Sequence, residues 1–466
     1  MRLRRIVLLA GLQVMACGLF VVTLDAADAA KALPNGSWPS FRGPAGTGVA
    51  PDGDPPSEWS ETKNLRWKVP IPGEGHATPI IWKDRIYLLT AIKVEASPEA
   101  VAPARQETPA QPPPQTGPPP ERPRPTIVHQ FAVIALDRAT GQTVWKTVVA
   151  EELPHEPGHE TASQASASPV TDGERLYAFF GSRGLFCLDM EGAVKWKKDL
   201  GDMRTRNEFG EGASPALHGD TLLVNWDHEG EDFIVALDKR TGDERWRVSR
   251  DEPTSWSTPV VLADPLPDDP GRALVVVSAT NRVRAYDVKS GTEVWSVAGL
   301  GANCIPTPVA ANDLLFVMSG YRNPAALAIR FPGAKGDITG TDRIVWKLDR
   351  GTSYVSSPLL YDGRLYFLDR LSAVMHSHEL ATGKPYFTEQ RLEGLGNVYG
   401  SLAGASGRIY VVDRAGKGAV LRHGETFQVI GTGALDDQFD ASPVIAGDAL
   451  YLRGHKHFYC IGTHRS

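Results

Sequence analysis

Eight times along the chain a short apolar segment opens on Ser/Thr-Pro or its remnant: ATPI at Ala77, ASPV at Ala167, ASPA at Ala213, STPV at Ser257, PTPV at Pro306, SSPL at Ser356, GSLA at Gly400 and ASPV at Ala441. A turn follows each, then a nearly continuous apolar run: RIYLLTA, RLYAFFG, TLLVNW, LVVVSA, LLFVMSG, RLYFLD, RIYVVD and ALYLRG. Runs without polar alternation suit strands covered on both faces. A third strand comes next (FAVIALD, GLFCLD, FIVALD, RVRAYD, HFYCIG), then a turn and a fourth strand carrying tryptophan. The opening prolines, with Leu402 standing in for one, are 90, 46, 44, 49, 50, 44 and 41 residues apart. Apart from the first gap, this is the roughly 40–50-residue period of a four-stranded propeller blade.

The turn before the fourth strand reads ALDRATGQTVW at Ala135, ALDKRTGDERW at Ala236 and AYDVKSGTEVW at Ala285. The aspartate carboxylate can accept turn amides, and glycine takes the positive φ that closes a short hairpin with a bulge. Four residues on, the indole is placed to dock on the neighbouring blade, which assigns Trp145, Trp196, Trp246, Trp295 and Trp346 to docking, with Phe387 and Phe427 in degraded copies. The chain shows eight openings but only seven fourth strands after the first of them. The missing one is found in NLRWKVPI, where Trp67 precedes the first opening. Pairing it with the C-terminal repeat removes an exposed sheet edge. The pattern therefore predicts an all-β fold: an eight-bladed β-propeller of four-stranded antiparallel blades, closed by an N-terminal strand.

Composition narrows the setting. A formal charge of -6 with no basic run after Arg5 excludes the electrostatic footprint of a nucleic-acid binder. Arg2, Arg4 and Arg5 precede an apolar run and the small residues of AADAA, so residues 1–30 are expected to be a secretory signal peptide, with no transmembrane segment after its removal. Lipid attachment at Cys17 fits less well, because the residues after it are apolar. Residues 31–60 form a lead-in and 61–466 the propeller. Eleven of the 36 prolines fall between Pro98 and Pro125, so 94–126 is expected to be an extended insertion between the second and third strands of blade one. Cys187, Cys304 and Cys460 are too few and too far apart for a disulfide framework.

The AxDxxTGxxxW segments resemble the tryptophan-docking motif of quinoprotein-type propellers, the PQQ-like repeat family, which includes outer-membrane assembly lipoproteins of the BamB type. WPSFRGPAGTGVA at Trp38 resembles the lead-in of secreted PQQ-binding-like repeat proteins. The resemblance spans roughly Trp38 to Ile461.

Ligands of propellers meet the loops entering the innermost strands. Here those loops bring Glu74, His76, Gln164, Glu211, Trp256, Asn303, Tyr354, Tyr399 and Asp440 towards one mouth. RNEFGEG and NWDHEGED add a second polar concentration, with Arg206, Asn207, Glu211, Asp227, His228 and Glu229 as an alternative binding surface. A PQQ enzyme needs a hard cation on oxygen ligands, an aspartate base and an aromatic floor. Glu211, Asn303 and Asp440 are the candidate calcium ligands, Asp440 the candidate base and Trp256 the floor. Against this, the adjacent cysteine pair of such enzymes is absent. HEPGH matches HExxH, but Pro157 and Gly158 oppose the helix a zinc protease needs, leaving His155 and His159 as loop candidates for a metal.

The expectation is an exported, monomeric, non-catalytic binding or scaffold module, taking an unknown protein or small molecule at the mouth. The alternatives are a PQQ- and calcium-dependent alcohol or sugar dehydrogenase, and a BamB-like assembly factor.

Overall fold

The fourth strand missing from the last repeat comes from the other end of the chain. In the computed structural model, which describes residues 33–94 and 124–463, Leu65–Pro70 pairs antiparallel with His457–Gly462, placing Trp67 opposite Cys460. Seven further sheets follow in chain order, each built as inner, second, third and outer strand. In blade one these are Ile80–Trp82, Arg85–Val94, Val128–Asp137 and Thr143–Glu152. The chain from Pro34 onwards is thus an eight-bladed all-β propeller, with two single 3₁₀ turns among its described residues. The expected signal peptide, Cys17 and most of the proline-rich insertion lie outside the described residues. The strands flanking that insertion are the second and third of blade one.

Burial follows the predicted pattern. Thr221–Trp226 is buried at every position, whereas outer strands such as Glu244–Ser249 alternate exposed with half-buried residues. The turn chemistry also holds: Asp137 Oδ1 accepts the amides of Ala139 and Thr140 at 3.1 and 2.9 Å, Gly141 takes φ +73°, and the ladder bulges between Ala135 and Leu136. Five docking indoles lie on the turn glycine of the next blade. The Trp145 Nε1–H donates to Met190 O at 3.1 Å, and an added Cβ on Gly192 would sit 2.8 Å from the ring. Trp196, Trp246 and Trp346 repeat this with Lys239 O, Val288 O and Leu380 O, and Trp67 covers Gly141 across the seam. Phe387 meets Phe427 edge-on, ring centroids 5.7 Å apart.

Trp295 docks on the next blade by a different contact. The connection between the last two strands of blade five is longer and lays Gly336–Asp337 parallel to the edge of blade four. Trp295 is fully buried beneath it with Phe331, Ala334 and Ile338. The next blade offers this indole no turn glycine, so packing replaces the hydrogen bond.

The Ser/Thr of each opening has a role beyond marking the strand. The backbone N–H of Thr78 donates to Ser168 Oγ, Ser168 N–H to Ser214, and so on through Thr258, Thr307, Ser357, Ser401 and Ser442, whose N–H returns to Thr78 Oγ1. All eight bonds are 2.9–3.2 Å long. A belt of side-chain to backbone bonds thus encircles the bore. Where proline follows, the next position has no N–H to satisfy in the channel wall.

Beneath the belt, on the side away from the loops, the lead-in crosses from one half of the ring to the other. Trp38 pairs with Ile81 of blade one, and Pro39 O accepts from Thr171 N of blade two. Arg42 then donates to Pro358 O and Leu402 O of blades six and seven, both at 3.0 Å. Buried and, among the described residues, without a carboxylate partner, its guanidinium has a pKa drawn down to about 9 by desolvation. Phe41, beside it, faces the bore.

Candidate functional site

A cavity of about 300 Å³ occupies the mouth of the bore. Its floor holds Phe41; its walls carry the aromatic side chains of Phe209, Trp256, Tyr354 and Tyr399. Seven of the eight belt residues line it, Thr307 being the exception. Each belt oxygen accepts an N–H, and among the described residues none of these hydroxyls donates a hydrogen bond onward. Their O–H groups therefore remain available to whatever enters.

Of the predicted mouth residues, His76, Glu211, Trp256, Tyr354, Tyr399 and Asp440 line this cavity, as does His159. Gln164 lines a smaller pocket between blades two and three, which also receives Glu211 and Trp256. Asn303 is buried behind the wall, its Nδ2–H₂ donating to Tyr354 Oη at 3.3 Å. Glu74 points away, its carboxylate 2.9 Å from exposed Lys93. Arg206 and Asn207 form a single 3₁₀ turn outside both cavities, held by Arg206 N–H to Thr254 Oγ1.

Much of the polar concentration around blade three is taken up by bonds within the protein. Asp227 forms a fully buried ion pair with Arg250 at 2.6 Å and accepts from Ser255, His228 Nδ1 accepts the amide of Arg204, and Glu229 accepts from Thr254. Such a pair needs partners for every polar atom to survive burial, which explains the local density of charge.

HEPGH is a loop, and its histidines part company. His155 lies 3.6 Å from Asp202, while His159 hydrogen-bonds Thr161 and meets Phe209 edge-on at 5.1 Å. The intervening Glu156, unremarked in the sequence, accepts from Thr205 N–H and Oγ1–H at 2.9 and 2.6 Å. Glu211 accepts Ser182 N–H at 2.7 Å and a short bond from its hydroxyl. Desolvation raises both acids to about 7, against the pull of these hydrogen bonds, and the charge of Glu211 adds to the rise at Glu156.

Asp440 sits at the meeting point of groups from three blades. Arg414 grips it with Nε at 2.6 Å on Oδ1 and Nη2 at 3.1 Å on Oδ2, while stacking over Tyr399. His455 Nε2 is 2.8 Å from Oδ2 and His76 Nε2 3.6 Å. Burial raises the carboxyl, but the bonds from His455 and Arg414 outweigh it and hold the pKa down to about 2. Desolvation takes His76 to about 4, so its imidazole is neutral at physiological pH. His455 and Arg414 escaped the sequence reading because they sit in hairpins between second and third strands, which also reach the mouth.

The donor atoms suit PQQ with calcium poorly. Calcium takes six to eight oxygens. Glu211 is engaged by Ser182, Asn303 lies behind the wall, and Asp440 is shared by a guanidinium and two imidazoles. With Arg414 and His455 already bonded to Asp440, its carboxylate is badly placed to take a proton from an alcohol.

A family profile described as outer membrane protein assembly factor BamB matches residues 129–205, 191–330 and 279–466. No curated protein matches the chain. Among solved structures, quinohemoprotein alcohol dehydrogenase from Comamonas testosteroni superposes with a TM-score of 0.59 at 9% identity, covering 92% of this chain and 81% of that one. A europium-containing methanol dehydrogenase gives 0.58 at 11%, covering 91% and 89%. BamB from Moraxella catarrhalis gives 0.49 at 16%, covering 70% and 91%. At such identities the likeness is one of fold.

Proposed function

The chain belongs to the BamB family of PQQ-like propellers, and from that premise we propose that it is a non-catalytic binding module of the cell envelope whose mouth captures a small, oxygen-rich ring compound such as a sugar. The observation that carries this reading is the pairing of unspent hydroxyl donors with aromatic walls in one cavity. Hydroxyls address the oxygens of such a ligand and aromatic faces its C–H surfaces. The carboxylates at the mouth are engaged within the protein, which favours capture over chemistry. Among the described residues no helix is long and apolar enough to cross a membrane, and the envelope setting rests on the family together with the leader-like N-terminus.

Calorimetric titration of the mature chain with a panel of neutral and acidic mono- and oligosaccharides tests this. Saturable binding weakened at least about tenfold by Trp256→Ala or Phe209→Ala is expected, the loss of one good aromatic contact. Addition of PQQ and calcium is expected to leave the quinone spectrum unshifted and to support no dye reduction with alcohols. A stoichiometric shift with turnover, abolished by Glu211→Ala or Asp440→Ala, would establish the dehydrogenase instead. The family name favours a second reading, assembly of outer-membrane proteins, which predicts co-purification with assembly partners from mild envelope extracts.

A further inference from the structure

The cluster at Asp440 has a feature that self-contained ion-pair networks lack: two imidazoles converge on a single carboxylate oxygen. Arg414 holds Oδ1 through Nε at 2.6 Å and reaches Oδ2 with Nη2 at 3.1 Å, and Oδ2 is the atom both rings address. The rings lie nearly parallel, with centroids 5.0 Å apart and planes inclined by 21°, and both direct Nε2 at Oδ2. His76 Nε2, at 3.6 Å, is beyond hydrogen-bond distance of the oxygen it faces. One ligand atom from each of His76, Asp440 and His455 falls within 4.8 Å of the other two.

Those separations have a meaning for a metal. Around a tetrahedral ion with bonds of about 2.0–2.1 Å, ligand atoms stand about 3.3 Å apart. The pairs at 2.8 and 3.6 Å bracket that value. We propose that His76, Asp440 and His455 form a site for a borderline divalent transition metal such as zinc, with its fourth position open to the mouth cavity.

Two imidazoles and one carboxylate are the donors such ions prefer and calcium does not. Three protein ligands, two of which, His76 and Asp440, line the mouth cavity, make an open site, not a closed structural one. Arg414 takes the part of an outer partner, orienting the ligating carboxylate with its shorter bond on Oδ1 and a longer one on Oδ2. The three ligands come from two neighbouring blades: His76 precedes the inner strand of blade one, whereas Asp440 precedes that of blade eight and His455 lies in the same blade's hairpin after Ala449–Arg453. The site thus stands at the seam of the ring. Its open position deepens the binding reading by giving a ligand oxygen an anchor, yet the site is testable without any sugar, so either idea can fail alone.

The test uses the untagged mature chain, stripped with a chelator and titrated with zinc chloride by calorimetry, then with cobalt chloride by visible absorption. One equivalent of zinc and a visible spectrum of tetrahedral cobalt displaced by zinc are expected. His76→Gln and His455→Gln should each weaken zinc at least about 100-fold, and Arg414→Lys by about 10- to 100-fold, the usual cost of an outer-partner change. Circular dichroism of each variant separates lost ligation from lost fold. Failure of the wild-type chain to bind zinc or cobalt overturns the assignment. So does undiminished one-to-one binding in a folded His76→Gln/His455→Gln double variant.

Discussion

The belt makes a quantitative prediction at the seam. Thr78→Val keeps the shape of the side chain but removes the oxygen that accepts Ser442 N–H across the junction of the last and first blades. Both residues are almost fully buried, at 2% and 5% exposure. Orphaning one buried amide costs about 1–3 kcal/mol. Unfolding entropy of about 2.1 cal/mol/K per residue over roughly 400 ordered residues makes each kcal/mol worth about 1.2 °C, so the melting midpoint should fall by about 1–4 °C. Ser214→Ala, which deprives Ser168 N–H of its acceptor on another part of the ring, should cost as much. Thr143→Val, on an exposed outer strand, should change stability by less than about 0.5 kcal/mol. Differential scanning calorimetry and urea titration measure all three. If the two belt variants melt with the Thr143→Val control, the circle of bonds contributes nothing to stability and its role as the ring's inner tie is refuted.

Three further outcomes follow from the packing. Gly192→Ala should destabilise by about 2–5 kcal/mol, since it combines φ +91° with a Cβ only 2.8 Å from the Trp145 ring; Gly219→Ala, at φ +55° with open space around it, should cost only about 1–2 kcal/mol in urea titrations. Glu156 and Glu211 keep their protons to about pH 7 when folded but lose them near 4.5 when unfolded, so the folded state binds more protons and stability falls as pH rises from about 5 to 8. Glu211→Gln should flatten the melting profile across that window; an unchanged slope would refute the assignment. Burial raises the thiols of Cys187 and Cys460 to about 12 and about 11, and Cys304 higher still. A thiol reagent at pH 8 should therefore label none of them until the protein is unfolded.

Fold was legible because a propeller writes itself in period and turn chemistry. The spacing of Ser/Thr-Pro, the Asp…Gly…Trp hairpin and the unpaired Trp67 each had one geometric solution, and Leu65–Pro70 pairs where the missing strand required. That Trp295 docks by packing alone was not legible in its own motif, which is intact; the difference lies some 40 residues on, in the connection that covers it. The belt was visible as spacing but not as function, since nothing in one repeat reveals that its hydroxyl accepts from the repeat before. Site residues were harder still. Asp440 and His76 could be placed at the mouth by counting loops, but His455 and Arg414 occupy the other class of loop. Arg42 reaches carbonyls more than 300 residues away, a contact with no local signature.

The seam also sets a clock on biogenesis. Leu65–Pro70 leaves the ribosome roughly 390 residues before the strand that receives it. At about 5–20 residues per second that is a wait of roughly 20–80 s. Until then the earliest strand has no partner and the circle has no closed form. A product truncated just before His457 would expose two raw sheet edges together, and quality-control proteases would meet it as an open arc.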